Sequence, residues 1–268
     1  MPEHVFDMTK GWNSLSAELL YASMEGGGPA EELAFYERRI RENGGFALDQ
    51  ACGTGRHLLP LIARGLHVHG TDISVDALAF AKRAAGQQGI EVVLFHQRME
   101  ECDIPHRYGT IYVANGTSQI IVDRKQAAAT LRRFRKHLSP GRQLLIETFV
   151  PEEVAQGPSI HDMDHPIRWK PIARRGGKGE IVTTLWSESV DQFEQTPRSK
   201  RRYDLLVDGK RAQSEEHAHP VRWYFHYEFE MMLENAGFVD IRTYSDYTDR
   251  AATKETKTVL FGARRPDR

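Results

Sequence analysis

The stretch Leu48-Asp49-Gln50-Ala51-Cys52-Gly53-Thr54-Gly55-Arg56 places a carboxylate and two glycines where one rhythm gives way to another. Before it runs the short apolar Phe46-Ala47-Leu48; after it, Leu58, Leu59, Ile62 and Ala63 recur at helical spacing. Glycines at a strand-to-helix turn let a ligand approach the backbone without meeting a Cβ. A second carboxylate, Asp72, closes the next apolar run, which begins at Leu66. In an open parallel sheet both acids would lie beyond the strand ends, in the crevice where ligands bind. The chemistry on offer is recognition: Asp49 suits a cation with an amino group, and Asp72 can accept the two hydroxyls of a ribose.

The loop also excludes ligands. A nucleoside triphosphate site calls for Gly-Lys-Ser/Thr, and Arg56-His57-Leu58 stands there instead. A dinucleotide site calls for a third small residue where Leu58 stands, and Asp49 would repel a pyrophosphate. What remains is a nucleoside with a positive, amine-bearing tail and no phosphates, which is S-adenosylmethionine. An acceptor would need a water-poor crevice, and aromatic rings there favour a sulfonium or an alkylamine. Trp12, Tyr21, Tyr36, Arg222, Trp223 and Tyr247 are the candidates for its walls. His217 and His219 alternate onto one strand face, and with Tyr224 they are the candidate general bases. His161-Asp162-Met163-Asp164-His165 has metal-ligand residue types in a Pro-flanked irregular stretch, so a solvated loop is expected and no metal. Cys52 reads as a packing residue, and Cys52 with Cys102 cannot build a disulfide framework.

The elements that must position these groups follow from periodicity. Leu33, Tyr36, Glu37 and Ile40 predict a helix ended by Asn43-Gly44-Gly45, after a flexible Gly26-Gly27-Gly28-Pro29. Ser74 caps a helix carrying Ala77, Leu78, Ala81 and Ala84. Val92-Val93-Leu94-Phe95 reads as a third, buried strand and Thr110–Ala114 as a fourth. Ala127, Leu131, Phe134 and Leu138 form a helical stripe, and Leu144-Leu145-Ile146 is a fifth strand. Strands alternating with helices over short loops predict a doubly wound, Rossmann-like, mostly parallel α/β sheet. Residues 151–178 are irregular; Ile181–Phe193, Lys200–Val207 with Asp208-Gly209, and His217–Trp223 then predict an antiparallel β insertion after strand 5. Tyr227, Met231, Met232 and Leu233 make a helix, and Val239–Tyr244 and Lys257–Arg264 bring the sheet to seven strands. Three units are expected: an N-terminal helical cap at 1–45, a cofactor-binding domain at 46–150 with 224–268, and an inserted β cap at 151–223.

Leu48–Gly55 followed by Thr71-Asp72-Ile73-Ser74 closely resembles the class I S-adenosylmethionine-dependent methyltransferases, in their small-molecule branch. Ala51 stands where that family usually has its first glycine. The resemblance continues in Gln97-Arg98-Met99-Glu100, where the family contacts adenine, and in Asn115-Gly116-Thr117-Ser118, which faces the methionine tail and the substrate. Leu138-Ser139-Pro140-Gly141 and Ala236-Gly237-Phe238 match its turns before the fifth and sixth strands. It implies cofactor contacts from Asp49, Ala51, Gly53, Gly55, Arg56, Asp72, Ile73, Arg98, Met99, Glu100, Asn115 and Ser118. It also implies methyl transfer to a small acceptor, nitrogen before oxygen, as in amino-sugar and glycine-type N-methyltransferases. The other readings are a nucleic-acid or protein methyltransferase and a non-catalytic S-adenosylmethionine-binding protein.

Composition frames these expectations. With Lys+Arg 36 against Asp+Glu 37, a formal net charge of −1, the chain has no global basic field for nucleic acid or anionic membrane. Of the basic stretches at 168–178 and 198–202, Arg198-Ser199-Lys200-Arg201-Arg202 is the better suited to nucleic acid, and it reads as the tip or edge of the insertion. No apolar run is long enough to span a bilayer and no secretory leader is evident. The expected setting is cytoplasmic, with a small-molecule acceptor, no nucleic acid, no membrane, and a homodimer as the one assembly allowed for.

Overall fold

A computed structural model describes residues 5–6, 14–23, 28–150, 166–174, 177–218 and 220–268. The chain opens with β1 (Val5–Phe6) and two helices, α1 (Ser14–Ser23) and α2 (Ala30–Asn43). Then strands and helices alternate: β2 (Ala47–Gln50), α3 (Leu58–Ala63), β3 (Val68–Asp72), α4 (Val75–Gln87), β4 (Val93–His96), β5 (Tyr108–Val113), α5 (Arg124–His137) and β6 (Leu138–Thr148). A second run of strands follows: β7 (Ile167–Arg168), β8 (Ile172–Ala173), β9 (Glu180–Asp191), β10 (Thr196–Val207) and β11 (Lys210–Ala218). The chain ends with α6 (His226–Asn235), β12 (Val239–Ser245) and β13 (Val259–Arg264).

Local chemistry sets these boundaries. Gly44, at φ 65°, donates its N–H to the Ile40 carbonyl and ends α2. The Ser74 Oγ accepts from the Ala77 N–H at 3.0 Å and starts α4; Asp123 Oδ1 does the same for Gln126 at 2.8 Å and starts α5. Asp208 and Gly209, both at positive φ, turn β10 into β11.

The main sheet has seven strands in the order β12-β13-β6-β5-β2-β3-β4. Strands β4, β3, β2, β5 and β6 are parallel, and β13 and β12 join antiparallel. Alternate residues of β5 and β6 feed the two sides. Tyr112 and Leu145 pack with α2 and α3 residues such as Leu33, Tyr36 and Leu58, whereas Ile111, Val113, Leu144 and Ile146 pack with Phe134 and Phe229. The second sheet runs β1-β11-β10-β9-β7, with β8 also on β9; its pairs are antiparallel except β1 on β11. Leu15 of α1 packs onto Ile181, Tyr203 and Leu205 of that sheet, and Tyr21 of α1 stacks on Phe80 of α4 at 5.0 Å. α1 therefore braces one sheet against the other.

The doubly wound sheet, its seven strands, the antiparallel insertion and the helical N-terminus agree with expectation. Some details do not: Leu138, expected on the helical stripe, and Ser139-Pro140-Gly141, expected as a turn, already belong to β6. β4 was expected to be buried, but it pairs only with β3 at the sheet's edge, and Val93 is 47% exposed. β11 ends at Ala218 and residues 220–225 have no regular structure, so the strand expected over His217–Trp223 stops early. α6 buries Phe229 and Leu233, while Tyr227 and Met231 face solvent, because only the former meet the sheet.

Candidate functional site

The loop from Ala51 to His57 rises from the carboxyl end of β2. Ala51, Gly53 and Gly55 have φ of 58°, 55° and 94°, a left-handed path that explains why glycine is usual in such a loop. A Cβ built on Gly55 would stand 2.9 Å from Leu59 Cγ, so that glycine serves the close approach of α3. A Cβ on Gly53 would meet nothing within 4 Å: its Cα faces open space. Asp72 ties loop to strand, with Oδ2 accepting from the Gly53 N–H at 2.8 Å and Oδ1 from the Ser74 N–H at 2.7 Å. The Ile73 backbone bonds the same carboxylate, which leaves it one lone pair for a further donor. Burial raises the Asp72 pKa, and these backbone bonds oppose the rise.

Asp49 lies deeper. Its Oδ2 is buried without a hydrogen-bond partner, as are the hydroxyls of Tyr36 and Tyr112, whose rings stack at 4.7 Å. Burial holds the Asp49 pKa well above the carboxylate range; the neighbouring Tyr112 hydroxyl offsets part of this and the Asp72 charge adds to it. A sealed carboxylate with an unpartnered oxygen is costly until a cation or donor meets it.

Around this floor runs a ring of polar contacts from five parts of the fold. Glu32 of α2 accepts from Arg56 Nη2 at 2.9 Å and lies 2.8 Å from His57 Nε2. Arg56 Nη1 donates to Asn115 Oδ1 at 2.9 Å, just beyond β5. The Asn115 N–H donates to Glu147 Oε2 near the end of β6 at 2.7 Å, and the Tyr247 hydroxyl, from the turn between β12 and β13, donates to the same oxygen at 2.8 Å. Tyr36 feels Glu147, Tyr247, Asp49 and Glu32 together. Asp49, the loop, Asp72, Arg56, Asn115 and Tyr247 thus gather at the carboxyl ends of the parallel strands.

The run expected to face adenine follows β4. Arg98 Nε donates to Glu100 Oε1 at 2.6 Å, Met99 packs against the core, and the Ile73 carbonyl lies 2.8 Å from His96 Nε2. Ser118 turns away from the loop: its buried, unpartnered Oγ lines a small cavity with Leu131, Phe134, Tyr224 and Phe229.

The other acceptor candidates have structural partners. Arg222 Nε donates to the Val122 carbonyl at 2.6 Å and its Nη1 to the Glu194 carbonyl, which pins the β9–β10 turn. Trp223 is fully buried, and Tyr224 packs on Phe229 at 5.5 Å between ring centres. His217 sits against Tyr203 with Nε2 3.2 Å from Glu215, whose carboxylate accepts from the Leu15 and Ser16 N–H groups at the start of α1. These contacts put His217 between the second sheet and α1, not on the ring. Trp12, His219, Gly26, Gly27 and His161–His165 lie outside the described residues. Among the described residues no three His, Cys, Asp or Glu side chains group as metal ligands.

Sequence reasoning missed Glu32, His57 and Glu147. Glu147 could have been found by applying the strand-end rule to β6 as well as to β2 and β3. Glu32 lies one helical turn before Tyr36, a charge on an inward stripe.

The site fits S-adenosylmethionine on three structural grounds: open space over Gly53, a carboxylate lone pair left on Asp72, and an orphaned buried carboxylate oxygen on Asp49 for a positive tail. Residues 47–141 match the protein family described as a methyltransferase domain. A protein of Geobacillus sp. (strain WCH70), provisionally named a methyltransferase, is 21% identical over 236 residues, 87% of this chain and 91% of its own. The dTDP-3-amino-3,6-dideoxy-alpha-D-glucopyranose N,N-dimethyltransferase of Streptomyces fradiae is 30% identical over 134 residues, 48% of this chain and 51% of its own. The sugar N-methyltransferase KedS8 from Streptoalloteichus sp. ATCC 53650 has the same fold, with a TM-score of 0.71 at 19% identity over 92% of each chain.

Proposed function

We propose that this chain, a class I S-adenosylmethionine-dependent methyltransferase by its domain, its glycine loop and its fold, methylates the amine of a small acceptor of the amino-sugar kind. The observation that carries the acceptor class is the charge of the crevice. Asp49, Glu32 and Glu147 converge there with Tyr36, Tyr112 and Tyr247, and the guanidinium among them, Arg56, is engaged by Glu32. Such a lining favours an amine over a carboxylate at the reacting end of the acceptor. The Streptomyces fradiae relative is named for an amino sugar and KedS8 for a sugar nitrogen, which supports the same class.

Bound at the loop, S-adenosylmethionine supplies a methyl group already activated by its sulfonium. The chain's own residues hold, align and exclude water, and alignment of this kind is worth about 7–11 kcal/mol. In this reading Asp72 takes the ribose hydroxyls, Asp49 the amino group of the tail, and the Arg98–Glu100 run the adenine. Residues 46–150 with 224–268 serve as the cofactor domain, 1–45 as a helical cap and 151–223 as the acceptor region; the main sheet draws its strands from the first set and the second sheet chiefly from the third.

The test is methyl transfer from S-adenosylmethionine to a panel comprising a dTDP-linked amino sugar, a free amino sugar, a glycine-type amine and the hydroxyl analogue of each, read by mass spectrometry. Transfer to an amine and not to its hydroxyl analogue is expected. Transfer confined to hydroxyls, or to RNA or protein included as controls, overturns the reading.

A further inference from the structure

We propose that Glu147, held by Tyr247 and the Asn115 backbone near the end of β6, anchors the acceptor's ammonium group and takes its proton before methyl transfer. The inference rests on the amine-acceptor reading above and adds a residue role to it. The geometry carries it. Glu147 is 8% exposed, and both of its hydrogen bonds go to one oxygen, Oε2: the Asn115 N–H at 2.7 Å and the Tyr247 hydroxyl at 2.8 Å. Oε1 accepts nothing among the described residues, although the carboxylate is nearly buried and its rotamer is locked by the two donors. An oxygen so placed is a vacancy for one more donor.

A second, independent observation points to a ligand beside it. The Tyr36 hydroxyl is fully buried without a partner, within the electrostatic reach of Glu147, Tyr247, Asp49 and Glu32. Two orphaned groups, Asp49 Oδ2 and Tyr36 Oη, therefore lie close together, and Tyr36 stands within the electrostatic reach of both Asp49 and Glu147.

The charged and titratable groups facing Glu147 come from every element around it: Glu32 and Tyr36 from α2, Arg56 from the glycine loop, and Tyr247 from the β12–β13 turn. Burial raises the Glu147 pKa most, the Tyr247 and Asn115 bonds oppose the rise, Glu32 adds to it, and Arg56 subtracts. A carboxylate shifted toward neutrality is better matched to accept a proton near neutral pH than an exposed one.

The step is a single proton transfer. An N–H bond of the acceptor ammonium breaks, its electron pair stays on nitrogen, and an O–H bond forms at Glu147 Oε1. The neutral amine is then the nucleophile, and the proton leaves Glu147 for water when product departs.

Sinefungin and S-adenosylhomocysteine test this without an acceptor. Sinefungin carries an ammonium group where the transferable methyl stands, and S-adenosylhomocysteine carries nothing there. Calorimetry should show the wild-type chain binding sinefungin roughly tenfold more tightly, the yield of one charge-assisted hydrogen bond. That preference should fade on acidification as Glu147 takes a proton. Glu147→Gln should abolish the preference and leave S-adenosylhomocysteine within about twofold of wild type, and Tyr247→Phe should reduce it in part. With an amine acceptor, kcat/KM of Glu147→Gln should recover as pH approaches the amine's own pKa, because solvent then supplies the neutral form. An unchanged preference in Glu147→Gln, or equal loss of both ligands in Glu147→Gln and Tyr247→Phe, overturns the proposal. Failure of the wild-type chain to bind either compound overturns the cofactor reading instead.

Discussion

Burial raises the pKa of both Asp49 and Asp72, but their surroundings differ: Asp72 is met by backbone donors at Gly53, Ile73 and Ser74, and Asp49 Oδ2 by none. For each acid the folded pKa exceeds the unfolded one, so its contribution to stability is complete below the ordinary aspartate range and is lost as pH rises through the raised value. Asp49→Asn should then melt at the same temperature as wild type, or higher, at about pH 8, while binding S-adenosylmethionine far more weakly. A large fall in the melting temperature would show that the charge supports the fold. Since a cationic tail favours ionised Asp49, binding should release protons at mildly acidic pH; calorimetry in buffers of different ionisation enthalpy measures this directly. Asp72→Ala should weaken S-adenosylhomocysteine by roughly 1.5–3 kcal/mol for each charge-assisted bond lost, and unchanged affinity would mean that the ribose is held elsewhere.

The glycine loop and α1 are the two elements on which position and stability separate. At Gly53 the backbone is left-handed and the space is open, so Gly53→Ala should cost about 1 kcal/mol of stability through strain. Its methyl group would fill the ligand's side of the loop, and the loss of cofactor affinity should exceed the loss of stability; comparable losses in melting and titration would remove the loop from the binding surface. α1 has the opposite character. The sequence suggested an N-terminal helical cap with a flexible glycine run; in the structure Leu15 is packed into the second sheet, Tyr21 into the main core, and Glu215 binds the first N–H groups of the helix. Deleting residues 1–23 should therefore lower the melting temperature by several degrees together with turnover. Preserved stability with lost turnover would restore the pure cap.

At the scale of the molecule, charge decides which partners fit. Lys200 lies 4.0 Å from Glu216, Arg202 pairs with Asp204, and Arg201 lies over the Trp169 ring, so the basic run on β10 is engaged within its own sheet. Replacing Arg198, Lys200, Arg201 and Arg202 by Gln should leave methyl transfer to a small amine nearly intact, and any RNA affinity should be weak and fall steeply with salt. Tight, salt-resistant RNA binding that disappears in that variant would make nucleic acid the acceptor. Among the described residues no helix is long and apolar enough to cross a membrane.

The main sheet was legible in the sequence because its signals are local. Apolar runs closed by Asp49 and Asp72, glycines between strand and helix, and caps at Ser74 and Gly44 each act within a few residues. Edges were not legible: Val93 reads as buried until the strand order leaves β4 with one neighbour. How the polar ring joins was not legible for a related reason, although Arg56, Asn115 and Tyr247 were each named from motif or residue type. Glu32, Arg56, Asn115, Glu147 and Tyr247 come from α2, the glycine loop, the end of β5, β6 and a turn beyond β12, and no periodicity links such distant positions. Likewise His217 has the residue type of a base, but the pairing of β10 with β11 and the packing of α1 make it a contact between elements. Residue type and short-range spacing are properties of the chain; which carboxylate keeps an oxygen unpartnered depends on what every other element brings against it, and only the tertiary structure decided that.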